Sequence, residues 1–250
     1  MDYLFLISGI VGFGPALFLI WFSMRKYSYP YIEGSAFEDR RVFFLLAVGM
    51  VFGTALVWLE RFFYEYFAWT DADNNFNFDL GMFIVVFVLA FVIMESLAKF
   101  IVLNWKTYQG RFDSVFYGIS FSAGFAATAM IGHIYWAVSL SDTASDPMWW
   151  VSIVLFSVSL SLMHTTVGAN IGYASIKLQG LGGLPMAIMP HIIFNLLMYI
   201  WFVQSPWIFL ALALPITAYF FRGVYLYTIP EVLPEEIKKE IRRKSRGDRR

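Results

Sequence analysis

Apolar residues run through this chain in long unbroken blocks, not in stripes of period 3.6 or 2, and the polar residues collect in the breaks between blocks. Seven blocks approach or exceed the roughly 20 residues that a helix needs to cross a hydrocarbon core. They cover about 3–24, 42–59, 80–103, 113–140, 148–172, 186–204 and 206–225. Little more than Gln204-Ser205-Pro206 parts the last two, where proline favours a break. The pattern predicts an all-α polytopic membrane protein. Its bundle of about seven transmembrane helices would occupy residues 1–228, followed by a charged tail over 229–250. No interior linker is long enough to suggest a second domain.

Composition agrees with this pattern. Hydrophobic residues make up 59% of the 250, and charged residues 14%, against about 25% in soluble domains. The net charge is +0, so no global field attracts nucleic acid. There is no cysteine, which excludes disulfides, thiolate nucleophiles and Cys-ligated metal.

Charge also orients the spans. Arg25, Lys26, Arg40, Arg41, Lys106, Arg111, Lys177 and the nine Lys/Arg from Arg222 onward fall on one side. Arg61 alone falls on the other, and Lys99 lies within a span. The positive-inside rule then predicts an N-terminus outside and a C-terminus in the cytoplasm. The first span has no basic region before it and no small-residue cleavage site, so it reads as an uncleaved anchor. The expected location is an integral, multi-pass position in the cell membrane of a prokaryote, with lipid as a partner.

Several polar side chains interrupt the apolar blocks. Glu95 and Lys99 share one helix face in the third span. His164 lies in the fifth span, and His191 and Asn195 lie one turn apart in the sixth. At 1.5 Å per residue, Glu95 and His164 both lie ~12 Å from the cytoplasmic ends of their spans, His191 ~8 Å and Asn195 ~14 Å. Intramembrane ionisable residues are costly and usually face the bundle interior. A self-neutralising Glu–Lys pair would account for two of them. A common depth on three helices points instead to a shared site. Thr165 and Thr166 would either orient an imidazole or bond back to their own helix. His133 is expected near the outer surface, as a packing residue far from this layer.

Gly118, Ser122 and Ala126 recur every four residues in span four, a signature of close helix packing. Asp113-Ser114 before them reads as an N-cap. The outer stretch 71–79 is acidic, but it has Phe76 where a calcium loop needs glycine and Met82 where it needs glutamate. A solvated loop is the expectation. The tail from Pro234 suggests a short charged helix that contacts anionic headgroups.

These residues together resemble the PrsW family of intramembrane proteases, in the superfamily that includes the type II CAAX prenyl proteases. Phe13-Gly14-Pro15 is similar to the family's Pro-containing first helix, and Glu95-Ser96-Leu97-Ala98-Lys99 to its EExxK motif. Asp113 to Gly118, with Gly124-Phe125-Ala126, resembles its D-x-x-x-Y-G…G-F-A stretch. His164 and His191-x-x-x-Asn195 fall at its two histidine motifs. Ser96 replaces the second glutamate of EExxK, and Ala129-Met130 replaces a Glu-Asn pair. The seven-span scaffold subunit of γ-secretase belongs to the same superfamily, and the Gly118/Ser122/Ala126 row resembles it too.

The resemblance implies hydrolysis of peptide bonds within the membrane, with Glu95 and His164 activating water. His191 and Asn195 would donate hydrogen bonds to the oxyanion. Glu95, His164 and His191 would alternatively ligate zinc, leaving a position for water. Metal-free and zinc-bound mechanisms use the same residues, and both stay open here. The other function implied is a catalytically inactive scaffold that binds a partner's transmembrane helix. Glu95, Lys99 and the histidines would then be a structural network, with Asp113 supporting span four.

Overall fold

A computed structural model describes residues 3–33, 35–67, 84–140, 146–204 and 207–247. The regular structure among these residues is all helical. The chain forms α1 (Tyr3–Met24), α2 (Asp39–Phe67), a π-helical segment (Ile84–Phe91) that continues as α3 (Val92–Leu103), and α4 (Ser114–Leu140). Next come α5 (Pro147–Ile176), a 3-10 turn (Gly180–Gly183), α6 (Leu184–Gln204) and α7 (Trp207–Gly223). A second π-helical segment (Val224–Thr228), α8 (Ile229–Val232) and α9 (Glu235–Gly247) complete it. In lipid each backbone N–H and C=O must be satisfied internally, and helices do this within one segment.

Six of the described helical stretches are long and apolar enough to cross a membrane, so the protein is an integral, multi-pass membrane protein. The block expected over 80–103 is described from Ile84 onward, as the π-helical segment and α3. The acidic stretch 71–79 and the break at 205–206 lie outside the described residues.

Helices α4 and α5 are the centre of the bundle. Of their most apolar windows 83% and 78% is buried, against 22% for α1, whose Phe5, Ile10 and Trp21 face outward. Lipid is as apolar as leucine, so burial alone cannot bring helices together in a membrane, and close packing must. Glycines provide it. A Cβ added at Gly118 would overlap the carbonyl of Gly168, one added at Gly168 would overlap that of Gly118, and one at Gly172 that of Ser114. The α2–α4 contact is built the same way, with Gly49 on Phe121, Gly53 on Phe125 and Gly124 on Leu46. Residue numbers rise together along this contact, so α2 and α4 run parallel. Gly118, Ser122 and Ala126 are all buried inside the bundle.

The α1–α2, α3–α4 and α5–α6 connections meet at one end. Arg41 donates to the Thr107 carbonyl (3.2 Å), and Gly110 N–H donates to Ser175 O (3.3 Å). The buried Asp113 does not spend its carboxylate as a simple cap. It receives Arg111 at 3.0 and 2.7 Å and the Tyr117 hydroxyl at 2.8 Å, while Arg111 also reaches Glu38. Asp113→Ala is expected to cost about 2–3 kcal/mol, because it leaves the fully buried Tyr117 without its charged acceptor. Thermal unfolding in detergent measures this, and an unchanged midpoint would contradict it.

The residues past 228 also belong to this end. Ile229 and Leu233 are buried, and Ile237 and Ile241 of α9 pack on the core. Glu231 accepts from Tyr173 (2.6 Å) and pairs with Lys177 (3.0 Å), and Glu240 accepts from the Glu33 N–H (2.6 Å). Acidic residues open α9 and basic ones close it, which suits the helix dipole.

Candidate active site

Glu95 and Lys99 project from one face of α3 and are both buried. Helix α5 presents His164 to them. Gly168, one turn further on, lets α5 approach α4 closely enough for the His164 ring to sit 4.8 Å from that of Phe125. Helix α6 adds His191, whose ring meets that of His164 edge-on at 5.1 Å. Three helices thus deliver one carboxylate, one ammonium and two imidazoles to a single buried spot.

The distances define what these groups do to one another. Lys99 Nζ lies 3.3 Å from His164 Nδ1, and donates to it when that nitrogen is unprotonated. It also lies 3.5 Å from Glu95 Oε2 and 4.4 Å from the centre of the Phe125 ring, an ion pair and a cation–π contact. Glu95 Oε2 is 3.6 Å from His164 Nδ1 and 3.8 Å from His191 Nε2. Donor atoms of Glu95, His164 and His191 all fall within 4.8 Å of one another. Yet neither Glu95 Oε2 nor His191 Nδ1 has a hydrogen-bond partner within the protein. Buried polar atoms are rarely left so, and two in one cluster mark a place built to hold something.

The sequence-derived candidates fall out unevenly. Glu95, Lys99, His164 and His191 come together. Asn195 sits one turn beyond His191 on α6 and is half-buried. Thr165 and Thr166 do not orient the imidazole, because each hydroxyl donates to a carbonyl of its own helix at 2.7 Å. Ser96 is fully buried with no hydrogen-bond partner for its hydroxyl. Helix α5 runs on to Ile176, so His164 lies twelve residues from its end, not eight.

His133 packs edge-on against the Phe156 ring, with centres 6.0 Å apart, and its Nε2 lies 3.8 Å from Glu60 Oε2. The hydropathy pattern ended span two at 59, one residue short of Glu60. The signal was the run beyond it, since Phe62 and Phe63 carry α2 on to Phe67.

The donor set of one carboxylate and two imidazoles suits zinc, which such sets bind with a fourth position open to water. Lys99 argues against that use. Its ammonium already lies against His164 Nδ1, and a divalent cation there would have to displace or deprotonate it. No family model, curated protein or solved structure matches the chain.

Proposed function

We propose that the protein is an intramembrane hydrolase that cleaves peptide bonds of transmembrane segments, with Glu95 as general base. The observation that carries this reading is the buried convergence of Glu95, His164 and His191, with Glu95 Oε2 and His191 Nδ1 making no hydrogen bond within the protein. The 3.8 Å between Glu95 Oε2 and His191 Nε2 suits a water oxygen ~2.8 Å from each. Glu95 takes the proton as that oxygen attacks the scissile carbonyl, then returns it to the departing amine. His164, held by Lys99, positions the water. His191 and Asn195, on one face of α6, donate to the oxyanion. The motif resemblance to the PrsW family points the same way, although Ser96 and Ala129 stand where that family has acids.

The reading includes seven spans, the third made by the π-helical segment and α3. It sets the end bearing Arg41, Arg111, Lys177 and α9 in the cytoplasm, because sixteen of the eighteen basic residues lie on that side. A purely structural network would be expected to give His191 Nδ1 a hydrogen-bond partner, and it has none within the protein. Nor is the span-four row free for a partner helix, since Gly118 lies on Gly168 and Gly124 on Leu46. Both facts weigh against the scaffold alternative.

Purified protein in lipid nanodiscs is expected to cleave members of a panel of single-span substrates. Cleavage is expected to survive EDTA, because Lys99 occupies the metal's approach. Loss on chelation with recovery by zinc would replace the metal-free mechanism. No cleavage of any panel member would favour the scaffold.

A further inference from the structure

We propose that Arg25, Lys26 and Arg222 bind the headgroup of one anionic phospholipid at the seam between α1 and α7, at the end of the bundle that carries α9. Aromatic rings close this seam. Phe22 of α1 meets Phe221 of α7 at 6.4 Å, and meets Tyr225, in the π-helical segment that continues α7, at 4.8 Å. The Arg25 guanidinium lies over the Trp21 ring at 4.7 Å and over Phe22 at 4.8 Å. Lys26 Nζ lies 5.6 Å from the centre of the Tyr225 ring. Both cations of α1 are thus braced on rings at the α1–α7 contact. Arg222 follows Phe221 directly and is exposed.

Among the described residues, none of these three cations makes an ion pair. Other basic side chains at this end are held by acids, Arg41 by Glu38, Arg111 by Glu38 and Asp113, and Lys177 by Glu231. The nearest acids along the chain, Glu33 and Glu231, pair with Arg243 and Lys177 instead. Cations left without a partner at the edge of the hydrocarbon attract anionic headgroups. A guanidinium lying on a ring keeps its N–H groups, which point outward in its own plane, for phosphate oxygens. The ring also restricts a long side chain in advance, which lowers the cost of binding.

The adjoining surface suits the rest of a lipid. Phe18, Trp21 and Arg25 share one exposed face of α1, at three- and four-residue spacing. Leu212, Tyr219 and Arg222 share one exposed face of α7 in the same way. Each face runs from apolar side chains to a cation, the order of an acyl chain and its phosphate. Trp and Tyr, here Trp21 and Tyr225, are the residues that collect at this boundary. The headgroup must carry net negative charge, because a choline or ethanolamine ammonium would lie beside three cations with no acid to offset it. Helices α1 and α7 supply none of the groups of the buried centre, so the lipid site does not depend on its chemistry.

Full-length protein in neutral detergent is titrated with phosphatidylglycerol and with phosphatidylcholine of the same acyl chains, and bound lipid is counted by native mass spectrometry. The first phosphatidylglycerol is expected to bind about tenfold more tightly than phosphatidylcholine, or better. Arg25→Gln, Lys26→Gln and Arg222→Gln should each weaken it by about fivefold, and the triple variant should lose the preference. Lys239→Gln, Lys244→Gln and Arg246→Gln combined remove as much charge from α9 and should leave that first lipid bound. The single variants decide the matter if the triple one fails to fold. Equal binding of the two lipids by wild type would overturn the proposal, as would unchanged binding in all three single variants or an equal loss in the α9 variant. Displacement of phosphatidylglycerol by inorganic phosphate at the same concentration would also overturn it, since the site would then serve a free anion and not a lipid.

Discussion

Glu95→Gln is expected to lower cleavage of a transmembrane substrate by about 10³-fold or more, since glutamine retains the volume but cannot accept the proton of water. The protein should still fold. Breaking a buried ion pair can cost about 3–5 kcal/mol, but the glutamine amide oxygen still accepts from Lys99, which reduces the loss. Thermal unfolding and gel filtration check that point beside the rate. His191→Ala should give a smaller loss, about 10²–10³-fold, if it acts as an oxyanion donor. Its effect should fall on kcat and not on KM, because the oxyanion exists only in the transition state. A folded Glu95→Gln protein that cleaves at the wild-type rate would end the general-base assignment.

The largest effect on the fold is expected at Gly168. Here α5 lies against the Gly118 carbonyl and the Ser122 hydroxyl, so even one added methyl meets backbone that cannot rotate away. Gly168→Ala is expected to cost about 3 kcal/mol, and Gly168→Leu to prevent a stable bundle. The damage should spread to the site, because separating α4 from α5 moves Phe125 away from His164. Ser122→Leu should act in the same direction at the same contact. Gly14→Ala is the control. Nothing lies within 4 Å of a Cβ there, and alanine improves helix propensity, so stability should hold or rise slightly. Unfolding midpoints in one detergent rank the variants, and equal midpoints for Gly168→Ala and Gly14→Ala would refute the packing argument.

Long apolar blocks made the membrane character and the all-helical fold legible from sequence, because a lipid-facing helix needs only length and apolarity, both properties of a local window. The four-residue row of small side chains could be seen for a similar reason, since one turn of helix repeats at that spacing. Glu95 and Lys99, or His191 and Asn195, could each be paired because each pair shares a helix. Whether two such pairs meet was not legible, since it depends on how each helix is rotated and tilted. Only the tertiary contacts decided this. Gly168 against Gly118 sets the rotation of α5 that brings His164 to Phe125 and Lys99. The same holds for Glu60, which lies one residue beyond the span that the hydropathy pattern marks out. Its place beside His133 follows from Gly49 and Gly53 laying α2, which runs on to Phe67, along α4. Asp113 illustrates the reverse case. Its position before α4 suggested a local cap, but its carboxylate serves Arg111 and Tyr117, because the folded loops bring a guanidinium and a hydroxyl within reach of it.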